Sequence, residues 1–282
     1  MSNSEVRIAA PDGVVLAGTL SAPRWQRIRG AVAVVHGSGP LTRSELRGDV
    51  RSLVGMGFAV LHYDKRGTGS SGGRYQPSAA IPMTRLVDIL ADDAAAALAE
   101  LRRRVKAQGV RTGFFGASQA GWIIPLASVR CVPRPDFHVI LSGAAVSTGM
   151  EGYYSQLSGD GSGPARVADR GELERRTLAF AGDAGFDPLP LWDSLRTPTL
   201  WLLGERDQSV PTFASLPVLK GLAARGHAEH CVVVYPRAGH DLRDAETGEP
   251  VGIWETLRAW WDERERPGGS ARAMHGVPCR RW

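Results

Sequence analysis

Hydrophobic positions along the chain form short runs that alternate with longer segments of helical spacing. Residues 31–35, 58–62 and 137–141 are mostly apolar without alternation, which is typical of strands buried on both faces of a sheet. Residues 84–105 carry apolar side chains at three-to-four spacing, which predicts a long helix. The two kinds of segment follow one another along most of the chain.

The same reasoning extends the pattern to both ends of the chain. It predicts further strands at residues 112–115, 199–203 and 231–235, and further helices at residues 45–53, 120–128, 214–224 and 251–262. Strands that alternate with helices indicate the α/β class, with a mostly parallel central sheet and helices on both faces. Two β-type runs around Pro11-Asp12-Gly13 predict a leading hairpin and hence an antiparallel edge.

One segment interrupts the alternation. Between Ala145 and Arg196 no strand is evident, residues 159–164 are rich in Gly and Ser, and residues 170–178 are charged and helix-like. A long insertion of this kind is usually functional or mobile, so we predict a small lid over residues 146–195. We expect one domain over residues 1–265 and a flexible tail over residues 266–282.

Composition and charge narrow the class of protein. The chain has 282 residues, 43% hydrophobic and 22% charged, as in a soluble globular protein. The net charge of +5 is not gathered on a surface with stacking aromatics, which argues against nucleic acid as a partner. The three cysteines match no metal spacing, so we expect no metal site.

The sequence also bears on location. No stretch approaches the roughly 20 apolar residues of a membrane span, and the first residues lack the basic and apolar regions of a signal peptide. We therefore expect a cytoplasmic protein without membrane contact. The oligomeric state is left open.

The strongest chemical signal is the segment Gly116-Ala117-Ser118-Gln119-Ala120-Gly121, between a predicted strand and a predicted helix. That context is the one required of a nucleophile elbow, in which a serine sits on a tight strand-to-helix turn. Gly116 has no side chain and Ala120 has only a methyl group, which leaves room for the tight turn. Ala120 departs from the commoner glycine. The alternative is that Ser118 only caps the helix.

A serine nucleophile needs a base and an orienting acid, which in this kind of fold follow it in the order acid, then histidine. Asp207 follows the strand predicted at residues 199–203, and His240 follows the next strand. We predict a triad of Ser118, Asp207 and His240. Glu205 is the rival acid, and we expect Asp241 to be a surface residue or helix cap.

Acyl transfer also needs N–H donors for an oxyanion. The residue after the nucleophile, Gln119, is expected to supply one. The loop His36-Gly37-Ser38-Gly39-Pro40 is expected to supply the other, with Ser38 preferred over Gly37. We expect His36 to hold this loop rather than act as a base.

These motifs resemble those of the α/β-hydrolase superfamily over about residues 5–263. More narrowly, the chain resembles bacterial single-domain serine esterases and acyl thioesterase-like hydrolases, which carry loops similar to His36-Gly37-Ser38-Gly39-Pro40 and Tyr63-Asp64-Lys65-Arg66-Gly67-Thr68-Gly69-Ser70. The resemblance implies hydrolysis of a small-molecule carboxylic ester or thioester through an acyl-enzyme, without cofactor. It places the nucleophile, acid and base on the same three residues.

Other interpretations stay open. The acyl-enzyme can be resolved by an amine or alcohol, which would make an acyltransferase or cyclase; the chain can also be a peptidase or a non-catalytic ligand-binding protein of this fold.

We expect Asp64 to order its loop through hydrogen bonds or to pair with Arg66. Lys65 or Arg66 meeting a substrate anion is a lesser possibility. Four aromatic residues are candidates for substrate contact, with simple packing as the alternative: Trp122, Tyr153, Tyr154 and Trp192.

Overall fold

The computed structural model describes residues 1–160, 164–226 and 229–266. The chain divides into two compact units, Met1–His138 and Val139–Trp282. The division falls within the strand Phe137–Leu141. Apart from Arg266, the predicted tail lies outside the described residues, and the expectations of a single domain and of a lid stay predictions.

The first unit is built on a sheet with strand order β1-β2-β4-β3-β5. The strands are β1 (Ser2–Ala9), β2 (Val15–Ala22), β3 (Gly30–Val35), β4 (Phe58–Tyr63) and β5 (Thr112–Ala117). β1 and β2 form the predicted antiparallel hairpin, and β2 is antiparallel to β4. β3 is parallel to both β4 and β5, with Val32 opposite Val60 and Gly113. Every residue of β3 and β4 is buried, which explains their continuous apolar runs.

Three helices complete the first unit: α1 (Arg47–Gly55), α2 (Met83–Val105) and α3 (Ala120–Arg130). A single 3-10 turn, Lys106–Gln108, follows α2. α2 buries one stripe that includes Leu86, Leu90 and Ala97, as its spacing predicts. That stripe also contains Asp93, a carboxylate among apolar residues.

The basic run at the end of α2 is engaged within its own unit. Arg102 donates to the carbonyls of Pro133 and Arg134, at 2.6 and 2.8 Å. Arg103 and Arg104 both pair with Glu100. These three guanidinium groups therefore have partners in the folded chain.

The second unit continues with β6 (Phe137–Leu141), β7 (Thr199–Gly204) and β8 (His230–Tyr235). β7 is fully buried and parallel to β8, with Thr199 opposite His230 and Gly204 opposite Tyr235. Its helices are α4 (Thr148–Ser158), α5 (Arg170–Leu178), α6 (Leu189–Ser194), α7 (Thr212–Ala224) and α8 (Ile253–Glu265). The segment predicted to lack strands holds α4, α5 and α6.

Side-chain caps set two helix starts in this unit. The Ser147 hydroxyl accepts the N–H of Met150 at the start of α4, and the Asp169 carboxylate accepts that of Glu172 at the start of α5. None of the described helices has the length and apolar character that a membrane span requires.

Candidate active site

Ser118 sits at the turn between β5 and α3, as the motif predicts. Its φ is 55°, in the left-handed region that residues other than glycine rarely adopt. Such a backbone costs on the order of 1 kcal/mol and persists only where the surroundings impose it. The turn leaves the serine partly exposed.

The small residues of the elbow are required by contacts in its own unit. A Cβ on Gly116 would lie 2.5 Å from the Ala120 Cβ and 2.8 Å from the Val35 carbonyl oxygen. Both distances are well inside van der Waals contact. Ala120 is tolerated in place of glycine because Gly116 has no side chain to meet its methyl group.

The predicted oxyanion loop lies against this elbow. A Cβ on Gly37 would stand 3.4 Å from both the Ala117 carbonyl oxygen and the Ser118 Cβ. Gln119 follows the serine and is buried, 2% exposed. One side chain bonds to both places: the Lys65 ammonium donates to the Gly37 carbonyl oxygen at 2.8 Å and to Gln119 Oε1 at 2.9 Å.

His36 is a buried structural residue of the same loop. Its Nε2 donates to the Tyr63 carbonyl oxygen at the end of β4. Burial lowers the pKa of His36 to about 4, despite that bond, so the imidazole is neutral near pH 7. The side chain ties the end of β3 to the end of β4.

Asp64 connects the loops that follow β3 and β4. Its carboxylate accepts the backbone N–H of Arg43 at 2.9 Å and that of Ser70 at 2.8 Å. Gly69, with φ 51°, packs so closely on this carboxylate that a Cβ would overlap it. The expectation of loop-ordering hydrogen bonds is met, and the ion pair of Asp64 is with Arg43, at 3.6 Å, not with Arg66.

Arg66 instead forms a buried ion pair with α2. Its Nε and Nη2 reach the two oxygens of Asp93 at 3.0 and 2.5 Å, and Asp12 binds the remaining edge. Burial raises the pKa of Asp93 although Arg66 opposes the shift. Because Lys65 and Arg66 are both engaged inside the unit, the structure does not favour either as the receptor of a substrate anion.

In the second unit Asp207 and His240 form a hydrogen-bonded pair. His240 Nδ1 lies 2.8 Å from Asp207 Oδ2. Asp207 Oδ1 accepts the N–H groups of Ser209 and Val210, each at 2.8 Å. The carboxylate is fully buried, whereas 34% of the His240 side chain is exposed. One carboxylate oxygen therefore anchors Asp207 and the other orients the imidazole.

The backbone holds the loops of this pair together. Arg206 N–H donates to the Ala238 carbonyl at 2.9 Å, and Glu205 N–H to that of Tyr235 at 3.0 Å. A Cβ on Gly204 would overlap the carbonyl oxygens of Ala238 and Gly239. Only glycine permits this approach at the end of β7.

The two other carboxylates considered for the acid role, Glu205 and Asp241, bind other residues. Glu205 is exposed and pairs with Arg170 at 3.4 Å. Asp241 is exposed and accepts the N–H of Arg243 at 3.1 Å. Neither carboxylate makes the bond to His240 that Asp207 makes.

Helix α4 supports the Asp207 loop. Tyr154 Oη donates to the Asp207 carbonyl oxygen at 2.5 Å, and Ser158 Oγ donates to that of Gln208. One turn earlier on α4, burial raises the pKa of Glu151 to about 7, and the charge of His240 opposes that shift. Burial lowers the pKa of His240, but Asp207, with Glu151 and Asp241, raises it overall. Negative charge around His240 thus favours the protonated form of its imidazole.

The four aromatic candidates have different surroundings. Trp192 is 1% exposed and packs edge-on against Trp201 at 5.1 Å, and Trp122 is 5% exposed on α3. Both fit the alternative of core packing. Tyr154 is occupied with Asp207, and Tyr153, partly exposed, lies 5.4 Å from the Phe180 ring. Of the four, Tyr153 remains the best candidate for a substrate contact.

No motif or pattern in the sequence indicated the interactions that Lys65, Tyr154 and Glu151 make in the site. The partner of Arg66 did leave a signal, because Asp93 falls in the apolar stripe of α2 and a buried carboxylate needs a cation. The roles of Lys65 and Tyr154 depend on contacts with residues far away along the chain.

The family model of the prolyl oligopeptidase family matches residues 44–263. The chain belongs to this family. Membership supports a serine hydrolase and agrees with the α/β-hydrolase fold predicted from the motifs. A comparison with curated protein sequences finds no match.

Solved structures share the fold. An esterase of Pyrococcus furiosus is 18% identical with a TM-score of 0.67, and the match covers 93% of this chain and 90% of that one. An acylaminoacyl peptidase of Pyrococcus horikoshii is 17% identical with a TM-score of 0.63, over 94% of this chain but only 41% of that one. A dipeptidyl peptidase 4 of Porphyromonas gingivalis is 16% identical with a TM-score of 0.61, over 93% and 35%. The likenesses confirm the α/β-hydrolase fold.

Proposed function

We propose that the chain hydrolyses a small-molecule carboxylic ester or thioester through an acyl-enzyme on Ser118. The observation that carries the proposal is the left-handed backbone of Ser118 at a strand-to-helix turn. A helix cap needs no such backbone, since N-cap residues ordinarily have β-region dihedrals. The strained turn favours a nucleophile over a cap.

In the proposed mechanism His240 accepts the Ser118 proton as the hydroxyl attacks the acyl carbon. Asp207 orients the imidazole and stabilises its charged form. The N–H groups of Gln119 and Ser38, with Gly37 as the second choice, hold the oxyanion. His240 then protonates the leaving group, and later activates the water that releases the acid.

We propose an ester or thioester rather than a peptide because the match spans nearly the whole of the similar esterase but less than half of the similar acylaminoacyl peptidase. The match covers 90% of the Pyrococcus furiosus esterase but 41% of the acylaminoacyl peptidase. Peptide hydrolysis is the second candidate, favoured by the family itself. Tyr153, which is partly exposed and packs against Phe180, is the proposed substrate contact.

The test combines labelling with turnover. Wild type and Ser118→Ala are treated with a fluorophosphonate, the labelled peptide is mapped, and both proteins are assayed on p-nitrophenyl acetate and butyrate, an acyl thioester and peptide p-nitroanilides. We expect label on Ser118 and a loss of turnover by a factor of about 10³ or more in the variant. Preference for the anilides would make the chain a peptidase.

Two further outcomes separate the remaining alternatives. Ester or amide products formed in the presence of added alcohols or amines, at the expense of the free acid, would identify an acyltransferase. An unlabelled wild type, or Ser118→Ala with the activity of its parent, would refute the nucleophile and favour a binding protein.

A further inference from the structure

Lys65 is a buried cation whose partners are both parts of the proposed oxyanion site. It lies in the loop after β4 and is 4% exposed. Its ammonium donates to the Gly37 carbonyl oxygen at 2.8 Å and to Gln119 Oε1 at 2.9 Å. Its own backbone is fixed, because its N–H donates to Leu41 and its carbonyl accepts from Thr68.

The bond to Gly37 determines where the next N–H points. The Gly37 carbonyl and the Ser38 N–H belong to one planar trans peptide, in which the two groups face opposite directions. With the carbonyl directed at Lys65, the Ser38 N–H faces away from the ammonium. A peptide next to glycine rotates readily without such a restraint. The bond to Lys65 therefore restricts the rotation of the Gly37–Ser38 peptide plane, which the glycines of the loop would otherwise permit.

We propose that Lys65 is a positioning residue: anchored on the Gln119 side chain, it holds the Gly37–Ser38 peptide in the orientation that presents the Ser38 N–H to an oxyanion beside the Gln119 N–H. The inference rests on the proposed function. It adds a role for a residue that touches neither the nucleophile nor the acyl group.

Burial of the ammonium makes this role sensitive to pH. Burial lowers the pKa of Lys65 to about 8, although Asp93 on α2 opposes the shift. Other charged or titratable neighbours include Asp64 and Arg66 in its own loop, Arg74 and Tyr75, which line a small cavity together with Lys65, and His36 after β3, which is neutral because its pKa is about 4. As pH rises through about 8 the ammonium loses its charge, and both of its bonds weaken.

The experiment compares Lys65→Met with Lys106→Met, an exposed lysine of the same unit. We expect Lys65→Met to lower kcat by roughly 10²-fold with KM changed little, since a small misplacement of oxyanion donors acts on the transition state. Affinity for a trifluoromethyl ketone, whose hemiketal carries an oxyanion, should fall in the same proportion. Lys106→Met should match wild type in all three quantities.

The pH profile supplies a readout that does not depend on a truncated side chain. In wild type we expect kcat to decline above pH 8, and in Lys65→Arg, which keeps its charge, the decline should disappear. An unchanged kcat in Lys65→Met, or a loss in kcat without a loss in ketone affinity, overturns the inference. So does an alkaline decline that persists in Lys65→Arg.

The inference and the proposed function fail separately. A wild type without turnover at Ser118 overturns both. A wild type that turns over at Ser118, together with a Lys65→Met variant of normal kcat and ketone affinity, overturns the positioning role alone.

Discussion

The two groups of proposed catalytic residues are held in place by different means. In the first unit the arrangement depends chiefly on backbone geometry and small residues: Ser118 is left-handed, and a methyl group on Gly116 would overlap the Ala120 Cβ, while the Lys65 side chain bonds to the Gly37 carbonyl. In the second unit a hydrogen bond between two side chains joins Asp207 to His240, and backbone N–H groups anchor the carboxylate. Small residues therefore reveal the first group in the sequence, whereas only chain order reveals the second.

The largest expected effect tests the side-chain group. Asp207→Asn keeps an oxygen for the N–H groups of Ser209 and Val210 but places an amide beside His240 Nδ1. We expect kcat to fall by about 10⁴-fold, because the imidazole then adopts the wrong tautomer. The measurement is steady-state kinetics on the best ester substrate.

Glu205→Gln is the matched control for Asp207→Asn. Its carboxylate is exposed and pairs with Arg170, so kcat should stay close to the wild-type value. If Glu205→Gln is inactive and Asp207→Asn is not, the acid has been assigned to the wrong residue.

The next effect concerns the scaffold of the first unit. Arg66→Leu leaves the Asp93 carboxylate buried without its cation, which should lower the free energy of unfolding by about 3–5 kcal/mol. Urea denaturation followed by tryptophan fluorescence measures the change. Arg103→Leu, whose pair with Glu100 is exposed, should cost less than about 1 kcal/mol.

The double variant Arg66→Leu/Asp93→Leu sharpens the same test. Removing both charges should recover part of the lost stability, since the penalty lies in the uncompensated carboxylate. A double variant no more stable than Arg66→Leu alone would show that the uncompensated carboxylate is not the source of the loss.

A smaller effect tests the backbone group. Gly116→Ala brings a methyl group against the Ala120 Cβ and the Val35 carbonyl, and should cost about 1–3 kcal/mol of stability. Adding Ala120→Gly should restore part of it, since one of the two contacts is then relieved. Thermal denaturation reports both values.

Gly55→Ala is the control for Gly116→Ala, because its new Cβ meets no atom within 4 Å. It should leave the unfolding free energy unchanged or raise it by less than about 1 kcal/mol. Equal losses at the two positions would mean that the elbow is not tightly packed.

The smallest effect is a shift in pH dependence. The charge of Glu151 contributes to the raised pKa of His240. Because the pKa of Glu151 is about 7, only its ionised fraction acts on His240 over the acid limb. Glu151→Gln should therefore lower the His240 pKa slightly and move the acid limb of kcat/KM down by a fraction of a pH unit. Glu249→Gln, an exposed change in the same unit, should leave the limb in place. An upward shift would show that Glu151 does not act through its charge.

The sequence predicted what depends on local pattern. Continuous apolar runs located the buried strands β3, β4 and β7, and the spacing in α2 placed its first residue within one position of the observed Met83. Other helix boundaries differ from the prediction: α1 begins at Arg47 rather than at residue 45, and α8 ends at Glu265 rather than at residue 262. Helix ends depend on caps and tertiary contacts that periodicity does not encode.

Contacts between distant residues were harder to foresee. Asp64 and Arg66 stand two positions apart in the motif and are opposite in charge, so an ion pair between them was one of two expectations, but Arg66 pairs with a buried carboxylate on α2. Asp64 is buried as well, but its carboxylate accepts the N–H groups of Arg43 and Ser70, whereas Asp93 lies in the apolar stripe of α2 and would be costly without its cation. Such a competition depends on burial and on partners distant along the chain, which sequence gives only approximately.

The Asp64 carboxylate also has a consequence for hydrogen–deuterium exchange. Loop amides usually exchange quickly because water reaches them, yet the amides of Arg43 and Ser70 both donate to one buried carboxylate. Exchange at Arg43 requires its loop to separate from the loop after β4, and exchange at Ser70 requires the loop after β4 to open, so both should be slow, like that of a strand. In an exchange experiment these loops would therefore group with the slowly exchanging strands. They would show that the loop after β4, which carries Lys65, is rigid.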